Sequence, residues 1–523
     1  MLQSGVILEI YPRSFKSANG GREGDLRGII EKLDYLKWLG VQHIWLPPIY
    51  PSPMKDGGYD VADYYSINKK FGSLADFDQL VDQASTRDIG IIMDLVVNHT
   101  SMEHEWFQDA LRSPRSPFRD RYVFRAGKPD GCLPNNHLSM FGGSVWEPVP
   151  GEDGMYYYHT FAKEQPDLNY EHPAVLAEMR RIMRFWFKRG VQGIRVDAVH
   201  VIGKNPEYPD EPINRDWDGD NEYMSLHHPH TQFQPRTYEL MNELAQTAAE
   251  YGDRFMIFEA TPEPGTGHDV YHRIYGAVDR SISAPFHFGL LSTEWTAATI
   301  KDHVEGFLSG LPAGSVPVWN VSNHDQPRVA SRVGELQAWV AMALILTLPG
   351  VPSLYYGDEI GMANGPEAKP GESDDPRVNE FSRDAVRSVM QWSSGETAGF
   401  TETGVVPWLK PNDDHKTKNV EAQMQDPASM LSFTKNLINL RRTIPALEHG
   451  GYVSYDSGAI GVYAFGRQLE NDHVTVMLNF TDQIQTAKVP AQTPRLLFSQ
   501  RKTSGIADGH ITLHPHEVCV LKS

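Results

Sequence analysis

Cysteine is scarce in this chain. The 523 residues include two cysteines, Cys132 and Cys519, which lie far apart and form no metal-type spacing. A disulfide between them would need an oxidising compartment, so we expect two buried free thiols. The low count argues against a disulfide-stapled scaffold and against a cysteine-based metal site.

Long hydrophobic runs and positive charge are also lacking. The longest apolar run, around Ala338 to Leu348, is too short to span a bilayer, and no basic segment with a signal-length apolar stretch opens the chain. We therefore expect a cytoplasmic protein without membrane association. Lysine and arginine total 48 against 67 aspartate and glutamate, which gives a formal net charge of −19. This balance argues against nucleic acid as a partner and against an anionic substrate, because both need a basic face.

Most of the chain alternates short apolar runs with amphipathic stretches, which predicts strands and helices in turn. The predicted strands are Val6–Ile10, His43–Leu46, Gly90–Val96, Gly193–Val196, Phe255–Phe258, Gly276–Asp279, Val316–Asn320 and Ser353–Tyr356. The predicted helices include Leu26–Leu39, Leu74–Arg87, Ala174–Arg189 and Arg236–Tyr251. Near-continuous apolar strands between helices indicate a parallel sheet that is buried on both faces. We expect an α/β protein with a (β/α)₈ TIM barrel, whose active site lies at the C-terminal ends of the strands.

Two stretches interrupt this rhythm, and the last part of the chain abandons it. Residues 100–169 are irregular and too long for a plain loop, so we expect a small domain inserted after the third strand. Gly361–Pro407 is a second irregular insertion, after the eighth strand. From about Gly450 short alternating strands predict an antiparallel β-sandwich. The predicted domains are residues 1–99 with 170–445 for the barrel, 100–169 for the insertion and 446–523 for the sandwich.

Three carboxylates follow three of the strand-like runs. Asp197 ends Gly-Ile-Arg-Val-Asp, Glu259 ends Met-Ile-Phe-Glu, and Asp325 ends Val-Ser-Asn-His-Asp. Arg195 lies two residues before Asp197, so both side chains point the same way from the strand. Each acid taken singly could be a structural ion-pair partner. Together, at the ends of parallel strands, they predict acid/base and nucleophilic chemistry on an uncharged substrate.

These phrases belong to a set of six that occur in a fixed order. They are Asp94-Leu-Val-Val-Asn98-His99, Gln165-Pro-Asp-Leu-Asn169, Gly193-Ile-Arg195-Val-Asp197, Phe258-Glu259, Asn323-His324-Asp325 and the stretch from Gly350 to Gly361. The set resembles the signature regions of the α-amylase superfamily, glycoside hydrolase family 13. The second phrase is typical of its oligo-1,6-glucosidase and α-glucosidase branch. The resemblance covers nearly the whole chain.

The resemblance implies separate roles for the three carboxylates. Asp197 is the expected nucleophile, since a nearby guanidinium, that of Arg195, should lower its pKa and keep it ionised. Glu259 is the expected general acid/base, because it follows an apolar run and has no basic neighbour in sequence. Asp325 is expected to grip sugar hydroxyls and to favour the distorted transition state.

The same resemblance implies the rest of the sugar site. Asp56 and Tyr59 would hold the terminal glucose, and Arg383 would pair with an aspartate there. Asp56 and Arg383 together would close one end of the cleft, which would admit only a chain terminus. The other expected substrate-binding residues are His99, Phe141, Phe161, Arg195 and His324. Phe141 and Phe161 could instead be plain core residues of the inserted domain.

Two departures from the family pattern matter for function. The stretch from Ser17 to Asp25 lies where many relatives carry a calcium or magnesium loop, but two carboxylate positions are Ser17 and Gly21. A hard cation needs several anionic oxygens, so we expect no metal in this loop. The residue after Asp197 is Ala198, where a valine accompanies α-1,6 cleavage in this branch. Ala198 therefore favours α-1,4 substrates.

The sequence thus predicts a retaining exo-acting α-glucosidase that needs no cofactor and acts on short α-1,4-linked sugars as a monomer or homodimer. An α-1,6-acting oligoglucosidase or a glucosyltransferase on the same scaffold is the alternative, and transglucosylation is an expected side reaction. Sucrose isomerisation is not expected, because the stretch from Phe286 to Glu294 lacks the arginine- and aspartate-rich motif of some isomerases. A non-catalytic family member would have lost carboxylates that this chain keeps.

Overall fold

The computed structural model describes residues 5–263, 267–367, 383–490, 494–501 and 505–522. Its strands, in chain order, are β1 Ile7–Glu9, β2 His43–Leu46, β3 Gly90–Val96, β4 Phe124–Ala126, β5 Trp146–Pro148, β6 Met155–Tyr158, β7 Gly193–Asp197, β8 Phe255–Phe258, β9 Ser283–His287, β10 Val318–Asn320, β11 Val351–Tyr355, β12 Gly451–Tyr455, β13 Val462–Leu469, β14 Asp472–Asn479, β15 Gln485–Lys488, β16 Arg495–Ser499, β17 Ile506–Ala507, β18 His510–Leu513 and β19 Val518–Lys522.

The α-helices of the described residues are numbered in the same way. They are α1 Pro12–Phe15, α2 Leu26–Glu31, α3 Leu33–Leu39, α4 Leu74–Ser85, α5 Glu105–Arg112, α6 Pro173–Lys188, α7 Pro235–Ala249, α8 Asp269–Ala277, α9 Gly289–Ser292, α10 Ala297–Ser309, α11 Val329–Val333, α12 Glu335–Thr347, α13 Val420–Met424, α14 Met430–Thr443 and α15 Pro445–His449. None of the helices that the structure describes is long and apolar enough to cross a membrane.

Eight parallel strands close into a barrel, in the order β1-β11-β10-β9-β8-β7-β3-β2. Strands β7, β9 and β11 are buried along their whole length, which explains their near-continuous apolar sequence. The predicted (β/α)₈ barrel is therefore confirmed. In the register between β3 and β7, Asp94 pairs with Arg195 and Val96 with Asp197. This register places Asp94, Arg195 and Asp197 side by side at the C-terminal rim.

One predicted barrel strand was assigned to the wrong segment. Residues Gly276 to Asp279 are the end of α8 and the turn after it, and the barrel strand is β9, Ser283–His287. The buried residues of α8 are Val270, Tyr271, Ile274 and Tyr275, a helical spacing that continues to the helix end. The predicted helix Leu26–Leu39 is two helices, α2 and α3, which meet at Lys32.

The insertion and the C-terminal region carry their own sheets. Between β3 and β7 the chain forms a three-stranded antiparallel sheet in the order β4-β6-β5. After α15 a five-stranded sheet, β12-β13-β14-β19-β16, and a three-stranded sheet, β15-β18-β17, form the predicted C-terminal β domain. The sequence did not reveal β15, β17 and β18. Part of the second predicted insertion, residues 368–382, lies outside the described residues.

A buried ion pair ties the insertion to the barrel. Lys204 Nζ lies 2.8 Å from a carboxylate oxygen of Asp167 and donates to Asn98 Oδ1 over 3.0 Å. Asn98 in turn donates to Asp167 over 3.0 Å. The three side chains come from the segments after β3, before α6 and after β7. Asn98 therefore braces the segments around the barrel rim and does not line the cavity.

The two cysteines differ in exposure. Cys519 is buried in β19, but Cys132 is exposed in the insertion, so the expectation of two buried thiols is wrong for Cys132. In the glycine-rich stretch after α1, the Asp25 carboxylate accepts hydrogen bonds from the backbone N–H groups of Ala18, Asn19 and Gly28. Asp25 therefore caps α2 and holds the preceding turn. The expectation that no metal binds in this stretch stays a prediction.

Candidate active site

A cavity of about 530 Å³ opens at the C-terminal rim of the barrel. Nine of the eleven site residues proposed from the sequence line it, namely Asp56, Tyr59, His99, Phe141, Phe161, Asp197, Glu259, Asp325 and Arg383. The other two, Arg195 and His324, have side chains that are 2% and 1% exposed and lie behind the carboxylates of the wall. The structure therefore brings the predicted residues together but places these two beneath the surface.

Arg195 is the centre of the carboxylate cluster. Its Nη1 donates to Asp197 Oδ1 and to both oxygens of Asp94, each over 2.8 Å. Its Nη2 donates to Glu259 Oε2 over 2.6 Å. The expectation that Glu259 lacks a basic neighbour holds in sequence only, since the fold brings Arg195 to it. Asp197 and Glu259 thus bind adjacent nitrogens of one guanidinium.

The backbone after β7 also contributes to the cluster. Ala198 has φ +41° and its N–H donates to Glu259 Oε2 over 2.8 Å. The Glu259 N–H donates to the carbonyl of Val196 over 2.9 Å, which continues the pairing of β8 with β7 beyond the strand end. These bonds fix where the Glu259 carboxylate lies relative to Asp197. Ala198 lines the cavity beside both acids.

The pKa of Asp197 differs from what the sequence suggested. Burial raises it well above the ordinary value, Arg195 lowers it, and the carboxylates of Glu259 and Asp94 raise it again. The expectation that Arg195 keeps this pKa low is wrong, because the burial of the carboxyl outweighs the attraction of Arg195, which Asp197 also shares with Asp94 and Glu259. A side-chain hydrogen bond with Glu259 also raises the pKa of Asp197.

Asp325 lies across the cavity in a second charged cluster. Its carboxylate accepts from Arg383 Nη1 over 3.2 Å and from Arg387 Nη2 over 3.0 Å, and it lies 3.2 Å from His324 Nε2. His324 Nδ1 lies 2.5 Å from a carboxylate oxygen of the buried Glu9. Glu9 therefore fixes the orientation of the His324 ring that faces Asp325.

Arg383 joins this cluster to the far end of the cavity. Its Nη2 donates to Asp56 Oδ1 over 2.6 Å, and Gln165 Nε2 donates to the other oxygen of Asp56 over 2.9 Å. Gln165 Nε2 also lies 3.0 Å from His99 Nε2. Asp56, Arg383, Gln165 and His99 thus form a continuous polar wall on one side of the cavity.

The turn that carries Asp56 and Tyr59 depends on two glycines. Gly57 and Gly58 both have positive φ, and a Cβ on Gly57 would lie 2.8 Å from Arg387 Nη1. The turn places the Tyr59 ring parallel to His324, at 5.4 Å between ring centroids. The Tyr59 hydroxyl donates to Asp94 Oδ2 over 3.1 Å. Burial raises the pKa of Tyr59 well above its ordinary value, so the hydroxyl keeps its proton.

Two phenylalanines of the insertion form an apolar wall. The rings of Phe141 and Phe161 are 5.6 Å apart, and Phe161 meets the edge of His99 at 5.3 Å. The guanidinium of Arg383 lies 5.8 Å from the Phe141 ring. Both side chains are only partly buried and line the cavity, so they are wall residues rather than the core of the insertion.

Several residues of the site were not proposed from the sequence. Asp94 and Gln165 stand inside the signature phrases, and Arg387 lies four residues after Arg383, so each had a signal that was not used. Other lining residues had no signal, because they come from irregular segments on several sides of the rim. They include Met140, His200, Tyr223, Gln232, Phe288 and Gln326.

The chain matches two family models in tandem. Residues 9–450 match the α-amylase catalytic domain, and residues 456–520 match the maltogenic amylase C-terminal domain. The first match covers the barrel and its insertion, and the second covers most of the C-terminal sheets.

Curated relatives and solved structures agree with this. The chain is 34% identical to an oligo-1,6-glucosidase of Parageobacillus thermoglucosidasius, over 99% of this chain and 98% of that one. It is 36% identical to a trehalose-6-phosphate hydrolase of Escherichia coli, over 92% and 91% of the two chains. A solved α-glucosyl transfer enzyme superposes with a TM-score of 0.92 at 32% identity, over 100% of this chain and 99% of that chain. The chain therefore belongs to glycoside hydrolase family 13, the α-amylase family, on the branch of the α-glucosidases and oligo-1,6-glucosidases, and it is a glucosidase.

Proposed function

We propose that this glucosidase is a retaining, exo-acting α-glucosidase that releases glucose from the non-reducing end of short α-1,4-linked glucosides. The observation that carries the proposal is the ion pair between Arg383 and Asp56, at 2.6 Å, in the same cavity as the Asp197 and Glu259 carboxylates. Its two residues follow β11 and β2, whereas the two acids lie at the ends of β7 and β8. A wall closed in this way leaves room for one terminal sugar beside the two acids.

The proposed reaction uses the two acids in turn. Asp197 attacks the anomeric carbon as a carboxylate while the glycosidic bond breaks and Glu259 gives its proton to the departing oxygen. Water then loses a proton to Glu259 and displaces Asp197 from the anomeric carbon. Two inversions at one carbon give net retention, which requires carboxyl groups about 5–5.5 Å apart. The shared Arg195 guanidinium, with both acids on adjacent nitrogens, supports a short separation of this kind.

The remaining charged groups hold the sugar in the proposed complex. Asp325 and Asp56 accept hydrogen bonds from ring hydroxyls, and Arg383 keeps both carboxylates in place between turnovers. His99 and His324 lie beside these acids, and Phe141 and Phe161 offer apolar surface to a sugar face. Burial lowers the pKa of His99, so a neutral ring contacts the hydroxyls at pH 7.

The same intermediate supports transfer to a second sugar. When an acceptor hydroxyl replaces water, Glu259 takes its proton and a new glucoside forms with the same anomeric configuration. The similarity to an α-glucosyl transfer enzyme favours this side reaction.

Retention can be read directly from the first product. We expect α-glucose to appear before mutarotation when the purified protein hydrolyses maltose, followed by proton NMR. Maltose, isomaltose, sucrose and trehalose are compared under the same conditions. The fraction of glucose that is transferred to a second sugar should rise with the maltose concentration. β-Glucose as the first product would rule out the retaining mechanism.

The closed end can be tested with a capped substrate. We expect an aryl maltooligosaccharide with a free non-reducing end to be cleaved at least ~100-fold faster than one whose terminal 4- and 6-hydroxyls are blocked, since buried polar groups then lose their partners. Release of the first sugar unit is followed by chromatography. Equal rates on both substrates would contradict exo action.

The linkage preference can be tested at Ala198. Ala198→Val should lower the ratio of kcat/KM for maltose to that for isomaltose by about tenfold, because the two added methyl groups fill space beside the scissile bond. Valine at φ +41° is also strained, so total activity and stability should fall. Taking the ratio removes that loss, and Ala198→Gly is the matched control that should leave the ratio unchanged. An unchanged ratio in Ala198→Val would remove this residue as the determinant.

The pH dependence of activity should show the effect of the Arg195 guanidinium on the carboxylates that share it. Because the pKa of Asp197 is raised, activity should be lost on the acid side at a higher pH than an ordinary aspartate would give. In Arg195→Gln the carboxylates lose their cation and protonate at still higher pH, so the acid limb of kcat/KM should move up by about 1–3 pH units. Arg112→Gln, whose side chain is 77% exposed, serves as the control. An unmoved acid limb in a folded Arg195→Gln protein would contradict the proposed coupling.

A further inference from the structure

Three histidines from three separate elements meet behind the cleft wall. His268 precedes α8, His287 ends β9 and His303 lies in α10. Taking one ring nitrogen from each histidine, the three atoms lie within 4.8 Å of one another. Successive side chains of a strand point to opposite faces, so Phe286 packs on Trp45 inside the barrel while His287 faces the helices. The cluster therefore lies between the barrel and its outer helices, away from the carboxylates.

Three ring nitrogens of this cluster have no hydrogen-bond partner among the residues that the structure describes. Two of them belong to His287, which is fully buried. The Nε2 atom of His303 has none either. Phe307 and Trp319 pack on the His287 ring, at 4.0 and 5.0 Å between ring centroids. Neither side chain carries an oxygen that could accept a hydrogen bond from His287. Buried polar atoms without partners cost free energy, so this arrangement needs a reason.

The three rings supply a donor type that transition metals prefer. A neutral imidazole offers the lone pair of one ring nitrogen, and imidazole is a preferred ligand of zinc and of its neighbours in the transition series. Three imidazoles in one cluster therefore provide the nitrogen donors of such a site.

The backbone beside the cluster leaves space for it. A Cβ on Gly289 would lie 2.1 Å from His303 Nε2 and 2.8 Å from His287. Any other residue at position 289 would therefore push His303 away from His287.

We propose that His268, His287 and His303 bind a transition-metal cation of the Zn²⁺ class, with a water molecule at the fourth position. Zn–N bonds of about 2.0–2.1 Å at tetrahedral angles set the ligand nitrogens about 3.4 Å apart. His268 and His303 are partly exposed and can close the remaining distance. Calcium and magnesium do not fit, since they require oxygen ligands. This site is independent of the proposed glucosidase chemistry.

The bound ion would stabilise one wall of the cleft by linking its elements to each other. Phe288 directly follows His287 and lines the cavity, and Leu291 of α9 lines it as well. A metal that joins β9 to α10 and to the start of α8 would hold this wall against the barrel. Its main effect is therefore on stability, with the catalytic carboxylates untouched.

The binding is tested on the untagged, full-length protein after removal of metals with a chelator. Zn²⁺ alone is added, and calorimetry and thermal unfolding are followed. We expect one ion per chain and an unfolding midpoint that rises with the logarithm of zinc concentration. Co²⁺ in place of Zn²⁺ should give the intense visible absorption bands of a tetrahedral site. A protein that shows neither the rise nor the bands overturns the proposal.

Variants at the two partly exposed ligands locate the site. His303→Gln and His268→Gln should each weaken Zn²⁺ binding by at least ~100-fold, the upper end of losses seen for outer-shell changes. His510→Gln, at an exposed histidine of β18, is the matched control and should bind as the parent does. Maltose hydrolysis at saturating substrate shows that each variant is folded. Binding that survives both ligand variants would place the metal elsewhere and overturn the proposal.

Discussion

The active site depends on one guanidinium that serves three carboxylates. Arg195 is 2% exposed and contacts Asp94, Asp197 and Glu259. A buried cation without these partners, or the partners without it, would be strongly destabilising. Burial raises the pKa of Asp197, and the neighbouring carboxylates that share this cation raise it further. The arrangement that fixes the geometry of the site therefore also sets its proton chemistry.

In the second charged cluster, around Asp325, ionised side chains also share their partners. Arg383 contacts both Asp325 and Asp56, and Arg387 adds a second cation beside Asp325. These contacts join segments that follow β2, β11 and β10, which together with β1 are consecutive strands of the barrel, so this wall of the cavity is assembled on one side of the rim. Gln165 extends this wall to the segment that closes the insertion. The shape of the sugar site therefore depends on the insertion as well as on the barrel.

The predictions that succeeded and failed differ in the kind of signal behind them. Strand and helix alternation found seven of the eight barrel strands near their places, but β9 was misplaced because α8 ends in apolar residues that also fit a strand. The short strands β15, β17 and β18 have too few residues to show alternation. Asp94 and Arg387 lie in or near recognisable phrases, but the sequence does not show what they contact, because Arg195 and Asp325 lie 101 and 62 residues away from them. The cluster of His268, His287 and His303 follows no local spacing and is equally invisible in sequence.

The sequence by itself determined the barrel, the family and the identity of the three carboxylates, because apolar periodicity and short strand-end phrases are local properties. Only the tertiary structure decided the electrostatics. In sequence Arg195 neighbours Asp197 alone, which suggests a lowered pKa. The fold buries Asp197, and the register of β3, β7 and β8 adds Asp94 and Glu259 to the same cation, so the pKa of Asp197 is raised. Charges interact through space over a few ångströms whatever their separation along the chain, so the sign of the net effect follows from the folded arrangement.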